Sequence, residues 1–203
     1  MIAAVILAAG ESRRMGAQKL LLPFGASTVI GHVVDQFLGS AVDPIIVVMG
    51  HDAEQVAGAL AGRKVCLVEN PGYAAGMLSS VRCGLRAVPP ECRAVLVGLG
   101  DQPSITTGTI NGLIRSFTEN DKGIVVPVHG GKRGHPLLFS ERYRAEILAR
   151  YDDVGLRGLL HTHADDVLEL AAAAPSVLSD MDYPEDYQRE VAAFEKGDPP
   201  DFT

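Results

Sequence analysis

Apolar residues fall along the chain in short unbroken runs: Ile2–Leu7, Ile45–Met49, Val65–Val68, Ala94–Leu99 and Gly123–Val128. The runs are rich in β-branched residues and lack polar alternation, as expected of strands covered on both faces. Between them the apolar positions take up helical spacing. Val29, Ile30, Val33, Val34, Phe37 and Leu38 form one stripe behind Ser27 or Thr28 as a cap, and Ile110, Leu113, Ile114 and Phe117 recur at i, i+3, i+4, i+7. "DAEQ", Asp52–Gln55, predicts a capping-box start for a further helix, and Met77, Val81, Leu85 and Val88 mark a fourth.

Strand and helix alternate to about residue 128, a rhythm that calls for right-handed βαβ crossovers. The predicted fold class is therefore α/β: a single-domain, three-layer α/β/α sandwich around a mostly parallel, doubly wound sheet. The order then changes. "HGGKRGHPLLF", His129–Phe139, reads as a glycine turn into an extended segment, followed by helices around Ser140–Arg150 and Leu156–His161 and a strand at Val167–Leu170. Pro184–Phe194 reads as a last helix with Pro at its first position. No repeat or low-complexity linker divides the chain, so one domain is expected over 1–197, with a frayed tail at 198–203.

At 203 residues the chain can bury a sizeable core, and only 5% of it is aromatic, which suits an aliphatic sheet under helices. A net charge of −7 argues against a nucleic-acid coat or an anionic-membrane binder, both of which need a basic face. The odd number of cysteines, Cys66, Cys83 and Cys92, without metal-ligand spacing, suggests neither a zinc site nor a disulfide framework. With no leader-like segment and no run near the ~20 apolar residues of a membrane span, a cytoplasmic location is expected.

Against that acidic background, "LAAGESRRMGAQK", Leu7–Lys19, sets Arg13, Arg14 and Lys19 in a glycine-punctuated loop directly after the first strand. In an open parallel sheet, ligands collect outside the carboxyl ends of the strands near the point where strand order reverses. Gly10 and Gly16 let backbone approach a ligand, and exposed N–H groups beside cations suit a phosphate. The loop is neither a P-loop, since Leu20 follows Lys19 where Ser or Thr is needed, nor a GxGxxG fingerprint. The plainer alternative is a solvated loop whose arginines pair with surface carboxylates. "GLGDQPSIT", Gly98–Thr106, supplies the opposite charge: Asp101 should stand at the carboxyl edge near the first loop, able to hold Mg2+ beside a polyphosphate or simply to cap the next helix. In "SDMDYPED", Ser179–Asp186, Asp180 and Asp182 would share a face if extended, while Asp182, Glu185 and Asp186 also suit a helix N-terminus. The pair His161 and His163 lacks an evident third metal ligand.

"LAAGESRRMGAQK" followed by "GDQP" resembles the nucleotidyltransferases of the nucleotide-diphospho-sugar transferase fold, in the branch that handles molybdenum cofactor. "NPGYAAGMLSSVRCGL" at Asn70–Leu85, "KRGHPLLF" at Lys132–Phe139 and "SDMDYPEDY" at Ser179–Tyr187 extend the likeness over nearly the whole chain, and together the motifs are similar to those of the molybdopterin cytidylyltransferases. The resemblance implies transfer of CMP from CTP to a molybdopterin-type phosphate with release of pyrophosphate, Mg2+ as cofactor, and a molybdoenzyme or its chaperone as recipient. It places Leu7, Ala8, Ala9, Gly10, Ser79, Ser80 and Gly100 at the nucleotide, with Ser80 reading the base and Arg14 and Lys19 on the triphosphate. Asp101 becomes the principal metal ligand with Asp180 or Asp182 as its partner, and His135 a contact to pterin or phosphate. Ala9 in front of Gly10, where GTP users typically carry glycine, favours CTP. A guanylyltransferase, a sugar- or alditol-phosphate nucleotidyltransferase and a non-catalytic cofactor carrier are the competing readings.

Overall fold

The computed structural model describes residues 1–197, so the tail expected to fray lies outside the described residues. Among the described residues ten strands run in chain order: β1 (Ile2–Ala8), β2 (Pro23–Phe24), β3 (Ser27–Thr28), β4 (Ile45–Met49), β5 (Cys66–Glu69), β6 (Ala94–Leu99), β7 (Ile124–His129), β8 (Lys132–Arg133), β9 (Leu137–Ser140) and β10 (Val167–Ala171). Seven α-helices accompany them among these residues: α1 (Val29–Leu38), α2 (Ala53–Ala59), α3 (Met77–Ala87), α4 (Thr107–Glu119), α5 (Arg144–Ala149), α6 (Leu156–Thr162) and α7 (Pro184–Lys196). The main sheet has the order β10-β7-β9-β6-β1-β4-β5, with β8 paired to β7 and β2-β3 forming a separate hairpin. β1 pairs in parallel with both β4 and β6, while β9 runs antiparallel between β6 and β7. Strand order thus reverses beside β1, and the loops after β1 and β6 leave the sheet side by side.

Alternate residues of β1 serve two cores. Ile2, Ala4, Ile6 and Ala8 join buried residues of α1, α2 and α4, whereas Ala3 and Val5 join those of α3, α5 and α6. This is the three-layer, single-domain sandwich of the nucleotide-diphospho-sugar transferase fold. Thr28 caps α1 by accepting the Gly31 N–H, and Thr106 caps α4 by accepting that of Thr109, so Asp101 does not open that helix. Pro184 stands at the first turn of α7, and Asp186 accepts the N–H groups of Asp182 and Tyr183.

Three expectations need correction. β5 is an edge strand in which Cys66 and Leu67 are exposed, because only β4 pairs with it. Helix α2 starts after Asp52, but that residue has φ 54° and makes no side-chain cap. In α3 the first inward position is Leu78, and Met77 is 58% exposed. Helix α3 lies so close to the sheet that a methyl group at Gly84 would overlap Val5 and meet Val48. Gly84→Ala should therefore destabilise the protein by about 1–3 kcal/mol, read as a lower urea midpoint; an unchanged midpoint would mean that α3 is free to move off the sheet.

Candidate active site

The apolar run of β1 ends at Ala8, and the chain turns out of the sheet through a loop that its own side chains close. Ser12 Oγ donates to Gln18 Oε1 at 2.8 Å and accepts the Lys19 N–H at 3.2 Å. Positive φ angles at Ser12 and Gly16 make the turn, and Lys19 is delivered at the start of a 3-10 turn, Lys19–Leu21. At the neighbouring strand end the Gly100 N–H donates to Leu7 O at 2.9 Å. A side chain at Gly100 would press on Leu7 O and Ile30, so glycine here lets β6 run tight against β1 and sets Asp101 beside the loop.

The two charges meet. Lys19 Nζ lies 2.5 Å from Asp101 Oδ2 and 3.3 Å from Asp182 Oδ1, and Arg14 donates to Asp182 Oδ2 at 2.9 Å. Burial, the largest influence on Lys19, opposes its charge. The Asp101 charge and the hydrogen bonds to Asp101 and Asp182 outweigh it and hold the ammonium above its ordinary value. The carboxyl of Asp180 is pushed up, first by burial and then by the Asp101 charge, while Gln102 Nε2 donates to it at 2.8 Å.

These groups surround one cavity of about 630 Å³. Leu7 and Ala8 line it from the end of β1, Ala9, Gly10, Arg14 and Lys19 from the first loop, Ser80 from α3, and Asp101, Asp180 and Asp182 from the acidic side. Asp180 and Asp182 reach it from an irregular segment before α7, not from a strand. Three expected contacts are placed elsewhere. Gly100 is packed under the loop, Ser79 donates into the carbonyls of Gly72 and Gly76, and neither lines the cavity. His135 also lies outside the lining, with its backbone N–H on Val177 O at 2.9 Å. Burial holds its imidazole below the ordinary range, with the Asp101 charge acting in the other direction. Arg13 also lines the cavity, at its rim, where its 83% exposed side chain pairs with Glu11. His163, of the HxH pair, lies 2.9 Å from Glu146.

Residues not expected at the site also shape it. Tyr73 and Met77 line the cavity, and the fully buried Gln102 holds Asp180. Neutral amides carry no charge pattern that would mark them in advance.

A cationic loop facing a carboxylate cluster at the reversal point of a parallel sheet suits a nucleotide-handling transferase, and the chain is a nucleotidyltransferase by relationship. It belongs to the family described as the MobA-like NTP transferase domain, whose model matches residues 4–167. It is 28% identical to the molybdenum cofactor cytidylyltransferase of Escherichia coli K12 over 90% of this chain and 92% of that one. A probable molybdenum cofactor guanylyltransferase of Mycobacterium ulcerans is 32% identical over 80% of this chain and 78% of its own. A crystal structure of a Mycobacterium tuberculosis H37Rv protein in complex with manganese superposes with a TM-score of 0.77 at 30% identity, covering 95% of this chain and 98% of that one. Among the described residues no helix is long and apolar enough to cross a membrane.

Proposed function

We propose that the protein transfers CMP from CTP to the phosphate of a molybdopterin-type acceptor, releasing pyrophosphate. The observation that carries the reading is Lys19 bridging Asp101 and Asp182 at the wall of the cavity entered by the first loop. An acceptor phosphate oxygen forms a bond to the α-phosphorus of CTP as the bond from that phosphorus to the bridging oxygen breaks. Such a displacement needs positioning and charge neutralisation more than covalent help. Both substrates are anionic. Lys19 and Arg14 offset that repulsion by turning from Asp101 and Asp182 toward the triphosphate, and the backbone of Ala9 and Gly10 lies against the nucleotide.

The donor set also fits Mg2+. Carboxylate oxygens of Asp101, Asp180 and Asp182 face the space a polyphosphate would fill, where their charge repels phosphate unless a cation stands between. Mg2+ takes one or two carboxylates and completes its shell with phosphate and water. When bound, Mg2+ would neutralise phosphate charge and polarise the α-phosphate. Asp101 with Asp180 or Asp182 would hold it. Product would pass to a molybdoenzyme or its chaperone. The relationship to a guanylyltransferase supports GTP as the second reading, while Ala9, where the resemblance puts glycine in GTP users, supports CTP.

Purified protein incubated with molybdopterin and each of CTP, GTP, ATP and UTP, with and without Mg2+, separates the readings. Pyrophosphate release is expected with CTP and Mg2+. A preference for GTP would replace the cytidylyl assignment, and tight pterin binding without release for any nucleotide would mark a carrier.

A further inference from the structure

The cavity wall formed by the start of α3 carries a hydrogen-bond chain whose direction is fixed. Asn70, at the exit of β5 and only 6% exposed, accepts the Gly72 N–H on Oδ1 at 3.0 Å. A backbone N–H can only donate, so this bond settles which amide atom is oxygen. Nδ2 then donates to Ser79 Oγ at 2.9 Å and to Ser80 Oγ at 3.0 Å. Ser79 directs its own proton into the loop, toward Gly76 O at 2.8 Å or Gly72 O at 3.0 Å. Ser80 differs: it lines the cavity while 4% exposed, and its sole hydrogen bond among the described residues is the one it accepts from Asn70. A hydroxyl has one proton, and that of Ser80 is left for the cavity.

We propose that Asn70 is a positioning residue for base selection: by donating to Ser80 it makes that hydroxyl a hydrogen-bond donor toward an acceptor atom on the nucleobase edge. The inference rests on the reading that the cavity binds a nucleoside triphosphate, and adds which way the contact points and what sets it. A buried donor rewards a matching acceptor and penalises a base that presents another donor there. Asn70→Asp would reverse the direction, because a carboxylate only accepts and would draw the Ser80 proton to itself.

Calorimetry on the full chain with Mg2+ tests this with two probes, CTP and inorganic tripolyphosphate, which lacks a base. Ser80→Ala and Asn70→Asp should each weaken CTP roughly tenfold, the double variant no more than either alone, with tripolyphosphate unchanged throughout. Losses that add in the double variant, or equal weakening of tripolyphosphate, would overturn the proposal and leave Asn70 a loop brace. Ser80→Ala keeps the bonds from Asn70 to Gly72 and Ser79, so it does not depend on Asn70→Asp folding, and unchanged CTP affinity in that variant alone also overturns it. Wild-type protein that binds tripolyphosphate but no nucleoside triphosphate would instead remove the nucleotide reading beneath it.

Discussion

Turnover in the Asp101→Asn variant is expected to fall at least ~100-fold while the fold stays intact. The amide matches the carboxylate in shape, and its oxygen can still face Lys19 Nζ, now 2.5 Å from Oδ2, so little packing is lost. What disappears is a negative charge placed where the proposed metal and phosphates meet. Loss of that charge gives a second, separable signature. Without Mg2+ the variant should bind CTP at least as tightly as wild type, because one repulsive carboxylate is gone. With Mg2+ the wild type should gain affinity and the variant should gain much less. Near-normal Mg2+-dependent turnover in Asp101→Asn would remove Asp101 from the proposed chemistry. An equal gain from Mg2+ in both proteins would move the metal to other ligands.

How much of this was legible beforehand follows from what a linear pattern can carry. β1, β4 and β6 were readable because strands buried on both faces must be continuously apolar, and the alternation with helices implied the parallel core. The edge position of β5 was not, since Val65–Val68 is as apolar as an inner strand and only the missing neighbour exposes Cys66 and Leu67. The antiparallel insertion of β9 between β6 and β7 is likewise a matter of pairing that no local signal states. Within the site, the switch-point rule was enough to bring Asp101 to the first loop, because it depends on strand order alone. Gly100 and Ser79 share motifs with cavity residues for backbone reasons, one to let strands close up and one to brace a loop. Gln102 and Asn70 act through neighbours, and their amides become visible only when partners and burial are known.

Lys19→Met should cost more than binding, and its cost should depend on pH. The Lys19 side chain is 11% exposed, and its ammonium is the cation between Asp101 and Asp182. Removing it leaves those carboxylates and Asp180 on one cavity wall, with the more exposed Arg14 paired to Asp182. Breaking a buried pair from one side is costly, and solvent access to Asp182 discounts that cost, so a loss of about 1–2 kcal/mol is expected at neutral pH. Asp180 sets the direction of the pH effect, because its carboxyl is already pushed up by burial and then by Asp101. A carboxyl whose folded pKa lies above its unfolded value, about 3.9, favours folding below that value and loses the contribution as pH rises through the folded pKa. Without Lys19 the folded pKa rises further, so the deficit in urea midpoint should be larger at pH 7.5 than at pH 4.5. Adding Asp182→Asn should recover part of it at the higher pH. CTP affinity should fall at least tenfold in Lys19→Met, since the proposed triphosphate ligand is gone. Equal midpoint deficits at the two pH values would show that Lys19 contributes through its aliphatic stem rather than its charge, and unchanged CTP affinity would take it out of the nucleotide site.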